Sequence, residues 1–147
     1  MAKTVVEEKI SLTQNTPGVT KTAVAAGAVL SETISYTVPD RSQIIFNPTD
    51  NIYLYLANAT PAEIADSSQI VIERTDPMGR RTRVLADTLY QAFKTLDDAT
   101  KKKYFGMRVV VPANFLIKVK AAPVTYAIVT ASTKFEISCT LVYETLD

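Results

Sequence analysis

The chain has 147 residues, 47% of them hydrophobic and 21% charged, and Lys+Arg 16 against Asp+Glu 15 leaves a formal net charge of +1. One domain of this size removes roughly 70% of its unfolded surface from water, so it builds a core without metals or disulfides. The near-neutral balance offers no field to draw in nucleic acid or an anionic membrane, and it removes the repulsion that keeps copies apart.

Residues 1–27 mix Thr, Ala, Gly and charges, with Pro17-Gly18 as a turn. They read as an extended arm with one strand at Val5–Leu12, or as a frayed terminus. Glu7 and Glu8 stand where a secretory leader needs an apolar core, and Ala23 to Leu30 is far short of the ~18 residues that span a bilayer. The expectation is a protein made in a cytoplasm, with no membrane partner.

Residues 28–147 read as one domain. From Val29 the pattern alternates: Leu30, Ile34, Tyr36 and Val38 share one face, which only Glu32 interrupts. Pro39-Asp40 turns the chain into a strand over Gln43–Asn47, and Asn51–Ala57 forms the next. In that strand Tyr53 and Tyr55 lie opposite Ile52, Leu54 and Leu56. Two tyrosines on one face serve an interface, a core or a sugar platform, and the pattern alone leaves the three open.

Gln69–Thr75 and Arg80–Leu85 flank Asp76-Pro77-Met78-Gly79, which has the residues of a type I turn and so predicts a hairpin. Arg80, Arg81 and Arg83 follow that turn, with Arg74 across it. They are either a solvated charged hairpin or an interface that grips carboxylates bidentately.

Asp87 to Phe105 is the one helical stretch, a short insertion with Leu89, Phe93 and Leu96 at i, i+4 and i+7 and a Thr95-x-x-Asp98 capping pattern. Lys101–Lys103 reads as a solvated helix end. Strands return at Met107–Val111, Phe115–Ala121, Tyr126–Thr130 and Lys134–Glu144. The last is long and cleanly alternating, so it belongs in the middle of a sheet. Val38-Pro39 and Val111-Pro112 each close a strand and open a polar corner, an echo that points to two related halves of a sandwich or to chance.

Catalytic chemistry is missing. The chain has no His, which rules out Ser-His-Asp and Cys-His machinery and the usual imidazole metal ligands. Four Gly at scattered positions make no phosphate-cradling loop, and the aspartates fall at turns or the helix start. Cys139 alternates with apolar residues and reads as a buried thiol. No catalytic residue, cofactor or metal is expected.

The expected fold is an all-β, antiparallel, jelly-roll-like sandwich with a helical insertion at about 87–105 and an N-terminal arm. A short sandwich with a polar arm, Val-Pro corners, no His, no Trp and no catalytic motif resembles the virion structural proteins of tailed viruses. The similarity is greatest to their small capsid decoration, or cement, proteins. That resemblance, over about Ala28 to Asp147, implies a protein of the virion that binds the major capsid protein or another virion protein and forms a homo-oligomer, a trimer by preference. Tyr53, Tyr55, Arg80, Arg81 and Arg83 are the interface candidates. The competing classes are a carbohydrate- or receptor-binding module and a tail, connector or minor capsid protein.

Overall fold

A computed structural model describes residues 3–46, 54–58, 64–94, 109–128 and 134–146. In chain order they form β1 (Lys3–Thr13), β2 (Val19–Lys21), β3 (Ser31–Thr37), β4 (Ser42–Phe46), β5 (Leu54–Ala57), β6 (Gln69–Thr75), β7 (Thr82–Leu89), α1 (Tyr90–Lys94), β8 (Val109–Val111), β9 (Leu116–Ala122) and β10 (Lys134–Leu146). The first sheet runs β1-β10-β4-β8, with β5 also paired to β10, and the second runs β2-β3-β9-β6-β7. Every strand pair is antiparallel. The chain is an all-β antiparallel sandwich, as its patterning predicts.

Alternation explains why the sheets face each other. Phe135, Ile137 and Cys139 of β10 point into the core, together with Ile44, Phe46, Leu54, Leu56 and Val111 of the same sheet. Ile34, Tyr36, Ile70, Ile72, Ile117, Val119 and Ala121 meet them from the second sheet. Each fully buried aliphatic or aromatic side chain here contributes about 1.5–3 kcal/mol relative to exposure, which suffices to close the two layers. The interruption at Glu32 is a bulge: the β3–β9 register shifts between Glu32 and Ile34. The extra residue, Thr33, is 1% exposed and donates its hydroxyl to the Thr22 carbonyl at 3.0 Å. Glu32 is thereby left to pair with Lys118 at 4.0 Å.

The two Val-Pro corners carry the chain between layers. The first takes β3 into β4, and the second takes β8 into β9, so each crosses from one sheet to the other. Because β3 pairs with β9 and β4 with β8, the corners lie side by side. Val38 N–H donates to the Phe115 carbonyl at 2.9 Å, and Asn114 N–H donates to the Val38 carbonyl at 2.8 Å. Within the corners, Ser42 N–H reaches the Pro39 carbonyl and Phe115 N–H the Pro112 carbonyl, each at 3.3 Å.

The expected helix at Asp87 starts three residues later. Asp87, Thr88 and Leu89 still pair with β6, and Leu89 is 40% exposed, not on an apolar helix face. Tyr90 and Phe93 of α1 are buried. The Tyr90 hydroxyl receives the Leu56 N–H at 2.7 Å, which ties α1 to β5, and Tyr90 N–H donates to the Ser68 carbonyl at 2.8 Å, next to the start of β6. The rest of the expected helix, including Leu96, Asp98 and Lys101–Lys103, lies outside the described residues. Of the strand expected at Tyr126–Thr130, Ile128 forms one isolated bridge with Val24, and 129–130 lie outside the described residues. The segment 1–27, expected to hold one strand, contributes β1 and β2 and sends Leu12 and Val24 into the core.

Candidate interaction surfaces

The β6–β7 hairpin shows how a turn builds a cationic tip. Asp76 N–H donates to the Arg81 carbonyl and Gly79 N–H to the Asp76 carbonyl, both at 3.0 Å. Gly79 takes φ 73, a left-handed conformation that glycine adopts without strain. The Asp76 carboxylate is occupied by the turn itself, accepting the backbone N–H of Arg80 at 2.7 Å and of Arg81 at 3.3 Å. The side chains of Arg80, Arg81 and Arg83 are therefore left exposed beside Met78, which is 70% exposed at the tip.

Arg74, expected to join them, does not. It stands opposite Arg83 in the ladder, but its Nη1 donates to the Val110 carbonyl at 2.7 Å and its guanidinium lies 5.4 Å from the centre of the Phe115 ring. Turning inward onto a carbonyl and a ring relieves the repulsion between two opposed cations. Glu73 is likewise committed. It is 5% exposed and its carboxylate meets Lys120 at 2.9 Å.

Tyr55 sits on the other sheet. It is half-buried on the outer face, opposite Glu136 of β10, while its neighbours Leu54 and Leu56 are core residues. Tyr53 lies outside the described residues. The structure thus places Tyr55 on the first sheet and the three arginines on the second, as two separate surfaces.

A third feature escaped the sequence reading. A cleft of about 400 Å³ opens where β1 and β10 meet the corners, lined by the aliphatic Val5, Val142 and Ala113, the polar Ser42, Gln43 and Tyr143, and the charged Arg41 and Glu144. These residues are scattered over the whole chain. Arg41 occupies in the first corner the place that Asn114 occupies in the second, and both have left-handed backbones, φ 60 and φ 67.

The titratable groups in the core serve packing. Burial pushes the Cys139 thiol up to about 12, and burial, with Cys139 adding to it, pushes the Tyr36 phenol up. Among the described residues, no group of three or more His, Cys, Asp or Glu is placed to hold a metal, and no helix is long and apolar enough to cross a membrane.

These elements define an antiparallel β-sandwich with two inter-sheet corners and charged or polar outer surfaces. No known family model matches the sequence, and no curated protein matches it. Among solved structures, the fold is similar to that of VP17, a capsid protein of bacteriophage P23-77, with a TM-score of 0.62 at 5% identity over 99% of this chain and 100% of that one. It is also similar to a chain of the VP16-VP17 complex, formed by the two major capsid proteins of the same phage, with a TM-score of 0.58 at 5% identity over 92% of this chain and 98% of that one. At that identity the likeness is one of fold, and no residue role carries over from it.

Proposed function

We propose that this chain is a non-enzymatic structural protein of a virion, made in the host cytoplasm and held in or on a capsid by contacts with other capsid proteins. The observation that carries this reading is the correspondence of the whole chain, end to end, with a capsid protein of bacteriophage P23-77. The second neighbour comes from a complex of two different capsid proteins, which favours a partner of another sequence beside copies of this one. Two further features fit it: a net charge of +1, and a rigid two-layer core with no cluster of ligating groups among the described residues. The finer role is decoration of a finished shell, as a trimer, and it rests on the resemblance of the sequence to cement proteins. In that role residues 3–5 and 7–9, exposed in the 1–27 segment, and the tip with Arg80, Arg81 and Arg83 are the contacts, and Tyr53 and Tyr55 a second patch.

Sedimentation of virus particles with the tagged chain tests the reading. The chain is expected to travel with particles at a fixed stoichiometry. Mild chelation or low salt that strips the chain and leaves intact shells identifies a decoration protein, while stripping that collapses the shell identifies a shell subunit. A chain that stays at the top of the gradient under all conditions is not a virion protein. Light scattering of the purified chain reads the oligomer directly.

A further inference from the structure

The two corners offer an internal comparison. Asn114 suits a left-handed backbone, because its short polar side chain is among the few non-glycine side chains that tolerate it. Arg41 takes the same conformation, φ 60 against φ 67, with a long side chain that gains nothing there. The turn hydrogen bond is the same 3.3 Å in both corners, so the arginine does nothing for the turn that an asparagine would not do with less strain.

What the arginine adds is a guanidinium at the cleft. Arg41 is exposed, it rims the cleft, and among the described residues no carboxylate stands within ion-pair distance of it. The cleft's own carboxylate, Glu144, lies 3.8 Å from Lys3. Val5, Val142 and Ala113 supply the aliphatic part of the lining, alongside the polar Ser42, Gln43 and Tyr143. A planar cation with no carboxylate partner among the described residues, in a cleft that also presents aliphatic side chains, matches one chemistry well: a carboxylate on a short aliphatic stem, gripped by two parallel N–H donors.

We propose that this cleft is a socket for an acidic side chain of a neighbouring polypeptide in the capsid, with Arg41 clamping its carboxylate and Val5, Val142 and Ala113 packing its stem. The socket deepens the capsid reading and rests on it for the identity of the neighbour. About 400 Å³ admits a side chain and its flanking backbone, not a folded domain. The occupant is therefore a projecting loop or an extended segment.

Two blocked tripeptides, acetyl-Val-Glu-Val-amide and acetyl-Val-Gln-Val-amide, titrated into isotope-labelled protein serve as probes. The glutamate peptide is expected to shift the Arg41 Nε–H signal together with the Val5 and Val142 methyls, and the glutamine peptide to bind about tenfold more weakly. Arg41→Asn is expected to abolish the response while raising the melting temperature by about 2–5 °C, because it relieves the backbone. A folded, more stable variant that no longer binds separates a site from a structural part. Equal shifts with the two peptides, no shift up to about 20 mM, or an Arg41 shift with inorganic phosphate as large as with the glutamate peptide and no methyl response, each overturns the socket.

In particles, Arg41→Asn is expected to lower incorporation at least about tenfold. Wild-type chain that joins particles while the variant joins equally well removes the socket and leaves the capsid reading standing. Peptide binding by a chain that never joins particles does the reverse.

Discussion

Arg41 and Asn114 occupy the same position in two side-by-side corners, and both have left-handed backbones, at φ 60 and φ 67. The corners differ in how well their residues suit that conformation, so equivalent substitutions have opposite consequences. Asn114→Ala keeps the β-carbon that crowds a left-handed backbone but loses the short polar side chain that offsets it, and is expected to destabilise by about 1 kcal/mol, whereas Asn114→Gly is expected to stay within a few tenths of wild type. Urea unfolding of the pair checks this. An alanine variant as stable as the glycine one would contradict it.

The Tyr90 hydroxyl is the partner of the Leu56 N–H at 2.7 Å, in a fully buried setting. Tyr90→Phe keeps the ring and orphans that donor. The expected loss is about 1–3 kcal/mol, and the Leu56 amide should exchange with solvent faster than its neighbours in β5.

Glu73 and Lys120 face each other at 2.9 Å with unequal exposure, 6% and 33% for their side chains. Lys120→Met leaves a buried carboxylate uncompensated and is expected to cost more than Glu73→Gln, which leaves a partly exposed ammonium that water can reach. In a double-mutant cycle, a coupling energy of about 0.5–3 kcal/mol is expected. Strictly additive losses would mean that the pair is decorative.

Cys139 is a buried thiol whose ionisation is pushed from 9.0 up to about 12 by desolvation. The folded state holds the proton more tightly than the unfolded one. Its contribution is therefore complete below pH 9 and is lost as pH rises towards 12, at up to about 1.4 kcal/mol per pH unit. Tyr36, raised above 10.0, adds loss at the alkaline end. Urea midpoints measured at pH 8 and pH 10.5 should fall accordingly, and labelling of native protein by a thiol reagent at pH 8 should be slow.

Leu12 is 1% exposed in the core, and the Gln14 side chain accepts the Phe135 N–H at 3.2 Å, while residues 3–5 and 7–9 are exposed. Removing residues 1–9 is expected to leave cooperative unfolding intact, and removing 1–14 to cost about 2–4 kcal/mol more. Thermal unfolding of the two truncations separates the part of the N-terminal segment that supports the sandwich from the part free to meet a neighbour.

Much of the sandwich was legible because alternation is local. Ile34, Tyr36 and Val38, or Phe135, Ile137 and Cys139, declare a buried face within a few residues, and Asp76-Pro77-Met78-Gly79 declares its turn. Leu89 misled because Tyr90 and Phe93 at i, i+3 carry the burial, and a strand residue beside them completed a helical spacing by coincidence. Arg74 and Arg83 look alike in sequence. Only the ring of Phe115 and the carbonyl of Val110, both over thirty residues away, separate the inward cation from the outward one. The cleft was illegible for the same reason, since Val5, Arg41, Ala113 and Val142 meet only after the strands pair.

β10 joins three strands of the first sheet, pairing with β1, β4 and β5, while β8 reaches it through β4. On the ribosome, therefore, the earlier three strands wait for residues 134–146 before that sheet closes, with Lys3 partnered to Leu146 at the far end of the chain. Contacts this distant in sequence form slowly. The first sheet of a nascent chain therefore stays open until synthesis has passed β10.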